Sequence, residues 1–182
     1  SVDTIQGKTT ATSVDLSGVT NLKMPSGHVV QTVTNITTNA NNITANGSFT
    51  NVTASEVTIT SKLANSAFLY MATMSAEADA SSNFNIYIQM RYTVNGGSSI
   101  IHPSGQNRVL NGTCALDSMG TVSQTINYLY DGITSSAGTT FVFFFEHRQN
   151  TSSSFQYNQQ SLGGQPSGKS NSSSITVQEI AQ

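Results

Sequence analysis

The sequence predicts an all-β protein, a jelly-roll-like β-sandwich preceded by an extended N-terminal connector. About ten short runs rich in β-branched and aromatic residues recur at the spacing of a sandwich, bounded by Asn, Gly and Ser. One of them, Phe84 to Val94, alternates cleanly between apolar and polar residues. No stretch carries a helical period. Ser75 to Ser82, with Ala76, Glu77, Ala78 and Ala80, is the one place where a helical turn would be cheap. It is too short to stand alone and reads as a loop. With 182 residues the chain is expected to form one core, burying roughly 70% of the surface its unfolded state exposes. The boundaries read are 1–23 for the connector and 24–182 for the sandwich.

Each element follows from its residues. Ser1 to Asn21 scatters Val2, Ile5, Val14, Leu16 and Val19 among Thr, Ser and Gly without any period, as a connector would. Met24-Pro25-Ser26-Gly27 is a turn, with Pro presetting φ and Gly free to take φ > 0. Strands are then expected at Val29 to Ile36, Ser48 to Thr53, Glu56 to Thr60 and Ala67 to Met74. In the Phe84 to Val94 run, Phe84, Ile86, Ile88, Met90, Tyr92 and Val94 share one face. Asn85, Tyr87, Gln89, Arg91 and Thr93 share the other. Asn95-Gly96-Gly97 closes that strand with a hairpin signal. Val122 to Tyr130 alternates again and ends at Asp131-Gly132. Phe141 to Phe145 is apolar on both faces and so predicts a central strand, covered on its two sides. The last strand, Ile175 to Ile180, runs almost to the C-terminal residue.

Composition narrows the function classes. Charged residues make up 9% of the chain, against about 25% in an average globular protein. Ser, Thr, Asn and Gln fill the gap, at about two-fifths of the sequence. The net charge is −2 and the pI near 5.8, so there is no basic field for nucleic acid or an anionic membrane surface. No apolar run approaches the ~20 residues of a bilayer span, and Ser1-Val2-Asp3 does not open like a signal peptide, so no membrane insertion is expected. The single cysteine, Cys114, rules out an intrachain disulfide, and no cation beside it lowers its pKa; it reads as a core or loop thiol.

Motifs that suggest catalysis do not survive their context. Gly163 to Ser170 matches the phosphate-loop pattern G-x-x-x-x-G-K-[ST]. Polar residues lead in and a loop and strand lead out, where nucleotide binding needs a buried strand and a helix. His28, His102 and His147 show no metal-ligand spacing and read as surface or strand-end residues. Glu146 and His147, adjacent on a strand, point to opposite faces and cannot act as an acid–base pair. No Ser sits in G-x-S-x-G. Two of the nine acidic residues could fall within glycosidase range, yet the chain has no Trp on which a glycan-cleaving cleft would stack sugars. Asn-x-Ser/Thr triplets such as Asn35-Ile36-Thr37 are expected by chance at this composition. The reading is of a non-enzyme without cofactor or metal.

Several segments also resemble the virion fibre or adhesin-like proteins of marine bacteriophages. They are Leu22 to Val33, Thr53 to Thr60, Ala67 to Met71, Tyr128 to Gly132 with Gly138 to Phe141, and Ser173 to Gln182, and they follow in the family's order. The resemblance implies a β-sandwich at the end of a virion appendage on the outside of the particle, assembled as a homotrimer beside other virion proteins. It also implies multivalent attachment to a host-surface glycan or protein. A chain that begins at Ser is then expected to be a trimmed product or the C-terminal piece of a fibre. The polar, aromatic-bearing loops supply the receptor-binding candidates: Arg148, Phe155, Tyr157 and Asn158, with His102 and Asn107 as a second patch. Against this stands the plainer reading that Phe155 and Tyr157, two residues apart, pack as one face of a strand. A structural decoration without a receptor, and a glycan-degrading enzyme, are the rival functions.

Overall fold

Two-residue alternation decides the layering of the molecule. The structure is a computed structural model, and it describes residues 25–38, 41–43, 47–79, 84–102, 110–114, 120–149, 154–158 and 172–182. The expected connector, Asn107 and the phosphate-loop look-alike at 163–170 lie outside the described residues. In chain order the strands are β1 (Val29–Thr37), β2 (Asn41–Ile43), β3 (Thr50–Asn51), β4 (Val57–Thr60), β5 (Ala67–Asp79) and β6 (Phe84–Val94). They continue with β7 (Ile100–Ile101), β8 (Leu110–Cys114), β9 (Gly120–Tyr130), β10 (Thr140–Gln149), β11 (Ser154–Tyr157) and β12 (Ser173–Ile180).

All pairings are antiparallel and form two sheets. The first runs β1-β12-β5-β11-β2, with β9 along the other edge of β5. The second runs β3-β10-β6-β7, with β4 also beside β10 and β8 also beside β6. β3 and β4 occupy successive stretches of one edge of β10, and β7 and β8 successive stretches of one edge of β6. With each interrupted edge taken as one strand, and β2 and β11 set aside as an extension, the sheet orders read 1-8-3-6 and 2-7-4-5. That is the double Greek key of a jelly roll, as the sequence predicts.

The core lies between the sheets. Phe68, Tyr70 and Met74 of β5, Tyr130 of β9 and Val177 of β12 meet Phe141, Phe143 and Phe145 of β10 and Met90 of β6, all buried. The Phe68 ring centroid lies 4.9 Å from that of Phe141, and Tyr130 lies 4.6 Å from Phe143. Rings of this size each contribute about 1.5–3 kcal/mol by leaving water, with a further increment from their tilted contacts. β10 is central as expected: β3 and β4 flank one edge and β6 the other. Its outward Phe144 is also buried.

Three expectations need correction. Residues 75–79, read as the start of a loop, continue β5. Ser75 to Ala78 ladder with β9 on one edge and Ala76 to Asp79 with β11 on the other, so pairing on both flanks overrides weak local propensity. The expected strand at Ser48 to Thr53 is only two residues long and gives way to a 3-10 turn, Thr53–Ser55. There Ser55 Oγ donates to Val52 O at 2.6 Å and accepts from Phe145 N at 3.1 Å, tying the turn to β10. Finally, His147 is neither a surface nor a strand-end residue but is fully buried.

The two ends of the sandwich differ. At one end the short connections 61–66, 95–99 and 131–139 are knitted together. Ser61 N donates to Thr139 O, Gly138 N to Ser61 O, Asn65 N to Ser135 O, and Asn95 N to Thr140 O. Asn95 and Gly96 take φ of 48° and 72°, which the Asn-Gly pair tolerates. The domain's first and last described turns meet at this end too, where Gly27 N donates to Ala181 O at 2.8 Å and Ala181 N to His28 O at 2.9 Å. At the opposite end β1, β5, β8, β10 and β11 stop; the stretches of sequence that follow them are 38–40, 80–83, 115–119, 150–153 and 158–172. They are rich in Asn, Ser, Gly and Gln.

Candidate functional site

The outward face of the second sheet carries a cation held between two rings. Alternation along β10 turns Phe141, Phe143, Phe145 and His147 into the core, and Val142, Phe144, Glu146 and Arg148 outward. The β10–β6 register sets Tyr87 opposite Arg148, Gln89 opposite Glu146 and Arg91 opposite Phe144. Arg148 Cζ lies 4.5 Å from the Tyr87 ring centroid and 5.3 Å from that of Phe49, just before β3. Each such contact is worth about 0.5–2 kcal/mol, more as it is desolvated. The guanidinium is therefore fixed in position.

Among the described residues no carboxylate neutralises its charge. Of the Lys and Arg among the described residues, Arg91 is ion-paired, its Nη1 donating to Glu146 Oε2 at 2.8 Å and its Nη2 to Ser99 O at 3.2 Å. Lys62 is exposed at the far end. Arg148 is half-buried and has no carboxylate or hydrogen-bond acceptor among the described residues. Glu146, two residues away, is engaged by Arg91. Glu56, just before β4, accepts Asn51 Nδ2 at 2.9 Å. Rings can satisfy the faces of a guanidinium but not its N–H edge. The site can thus take an acceptor, and an anionic one best.

A second concavity is a groove of about 460 Å³ between β1 and the β3–β4 edge, lined by Thr34, Asn35, Thr37, Thr53, Glu56 and Thr58 among others. It offers hydroxyls but neither a ring plane nor a cation to orient a ligand.

The other sequence candidates separate. Phe155 and Tyr157 lie on β11, in the opposite sheet from Arg148. Tyr157 is no loop residue: it is fully buried, its ring 5.7 Å from Phe145, and its hydroxyl donates to Gln124 Oε1 at 3.0 Å and lies 3.0 Å from His147 Nδ1. For Tyr157 the plainer strand reading holds. Burial pushes its phenol well above the ordinary range and pushes His147 down to about 4. Asn158 is also buried, taking φ 57° after the strand and accepting from the Ser173 hydroxyl, while its N donates to Ser75 O at 2.9 Å. His102 is half-buried, with Nδ1 3.0 Å from the Tyr128 hydroxyl and Nε2 2.8 Å from Asp131 O. A carbonyl only accepts, so Nε2 carries a proton. Of the first patch only Arg148 faces outward among the residues whose side chains are described. The two partners that position it were missed. Tyr87 had a signal, as the aromatic residue on the polar face of an alternating strand; Phe49, outside any clear run, had none.

No protein-family model matches the chain, and a search of curated proteins finds no match. Among solved structures the chain is similar to one titled "Structure of infectious bursal disease virus Gx strain", at 10% identity and a TM-score of 0.41. The likeness covers 85% of this chain and 39% of that one.

Proposed function

We propose that this chain is a phage virion appendage module, a tail- or capsid-fibre tip that attaches the particle to its host by multivalent adhesion. The observation that carries the reading is Arg148, a ring-held guanidinium on an outward sheet face with no acceptor among the described residues. An internal structural role would ordinarily pair such a charge. The resemblance of the segments from Leu22 to Gln182 to marine phage fibre and adhesin-like proteins supports the same reading, and a jelly roll is a fold that such a role can use. The module acts as a homotrimer on the exterior of the virion, with other virion proteins at its base and a host-surface glycan or protein at its tip. Weak contacts at each copy, repeated, raise avidity by ~10² or more over a single site. Binding, rather than bond cleavage, is the activity assigned.

The test is retention of the labelled chain on host cells and on a glycan panel, with mass measured by light scattering. A trimer held on host cells supports the reading, and a monomer that binds neither cells nor glycans overturns it. A second reading, a virion decoration without a receptor, draws on the outer face of the first sheet. Among the residues whose side chains are described, Thr34, Ile36, Thr176, Met71, Asn127 and Leu129 fall on that face and carry no charge, and Ile36 and Leu129 are exposed. Charge-depleted surfaces suit protein contacts. Assembly without cell binding would favour it.

A further inference from the structure

We infer that the Arg148 site selects acidic saccharides, with a carboxylate on a sugar ring as the group recognised; this rests on the adhesion reading and names its ligand class. Three features of the site converge. First, the Arg148 Cζ lies over two rings, 4.5 Å from the Tyr87 centroid and 5.3 Å from that of Phe49, and ring contacts leave the N–H donors along the edge of a guanidinium without acceptors. A planar carboxylate matches that edge with two parallel hydrogen bonds, which a lone hydroxyl cannot do. Second, two of the carboxylates among the described residues already have partners, Glu146 in Arg91 at 2.8 Å and Glu56 in Asn51 at 2.9 Å. An incoming carboxylate therefore meets a cation that no carboxylate among the described residues pairs with.

Third, the site sits on a sheet face rather than a sheet edge. At His147, β10 is paired with Ile88 of β6 on one side and Thr50 of β3 on the other. An extended peptide cannot add there as a strand, because the main-chain groups it would bond are taken. What the face offers instead is ring edges and one oriented charge, a surface for a compact ring-shaped ligand. The cation is also scarce: the whole chain has seven Lys and Arg in 182 residues. Attraction to acidic polymer therefore does not rest on a diffuse basic field.

The experiment measures binding of the full 182-residue chain to oligogalacturonate, to alginate fragments, to methyl-esterified oligogalacturonate of the same length and to dextran sulfate. Binding to one of the two uronates, at least tenfold weaker for the methyl ester, is expected. Arg148→Gln should lose at least tenfold of that binding and Arg148→Lys should retain part of it, both measured at a temperature below the melting transition of each variant, where circular dichroism shows the β fold intact. Equal binding of acid and ester, unchanged binding by Arg148→Gln, or binding of dextran sulfate alone would overturn the inference. So would the absence of uronate binding in a chain that still binds host cells, an outcome that leaves the adhesion reading standing. A chain that binds neither cells nor any saccharide overturns both.

Discussion

Glu179 is a carboxylate buried to 0% exposure with no ion-pair partner among the described residues, and it is held by donors that lie more than a hundred residues away in the chain. Lys62 N donates to both oxygens, at 3.0 and 2.9 Å, Leu63 N donates at 2.9 Å, Ser66 Oγ at 2.7 Å and Gln31 Nε2 at 2.6 Å. Glu179→Ala would strand two backbone N–H groups and a hydroxyl, and is expected to cost about 3 kcal/mol or more, read as a lower urea midpoint. Nothing in the residues around Glu179 announces this, because its partners are main-chain groups of a distant turn. His147 was equally illegible: its burial depends on Tyr157, which arrives from another sheet. The imidazole is pushed from near 6.5 down to about 4 by burial, so the unfolded chain takes up the proton more readily. Stability is therefore full above about pH 6.5 and falls as pH drops toward 4, by a total on the order of 3 kcal/mol. His147→Phe should flatten that slope in melting curves recorded across the range, and an unchanged slope would assign the acid sensitivity elsewhere.

At the scale of elements, legibility tracked how completely one strand could state its own environment. β6 was readable to the residue because its inner and outer faces differ in polarity, and the Phe141 to Phe145 part of β10 because both its faces are apolar there; the extension of β10 to Gln149, through Glu146 and Arg148, was not. The second half of β5 was not either, since its residues are small or polar and become strand only through partners on both sides, while for β11 the sequence left a loop and a strand reading side by side. A substitution can separate the two accounts of residues 75–79. Proline in a surface loop costs little, whereas in a doubly paired strand it removes a ladder hydrogen bond and clashes with a neighbour. Glu77→Pro should lower stability by about 2 kcal/mol or more in denaturant titration; a change within ~0.5 kcal/mol would restore the loop. The candidate site shows the same division. Arg148 and Tyr87 could be placed on outward faces by alternation alone, but their apposition needed the β6–β10 register.

For the whole molecule, the neutral polar composition has a physical counterpart in how little of the fold is ionic. One ion pair, Arg91 to Glu146, is found among the described residues, while the sheets are joined by buried rings and by hydroxyl and amide bonds. The melting temperature should therefore shift by no more than a few degrees between 0.05 and 1 M NaCl, since screening touches a single half-buried pair. A drop larger than that would mean that charges outside the described residues carry stability. Binding at Arg148 should behave oppositely and weaken as salt rises.

The pairing of Gly27 with Ala181 has a mechanical consequence. Chain entry and chain exit lie side by side at the knitted end, whereas Arg148 lies at the other. A particle that pulls on the module through its N-terminal side, while the Arg148 end is held, loads the strands along their length. The β1–β12 ladder, running from Val29 opposite Ile180 to Thr37 opposite Ser173, is then strained in shear, its hydrogen bonds sharing the force rather than opening one after another.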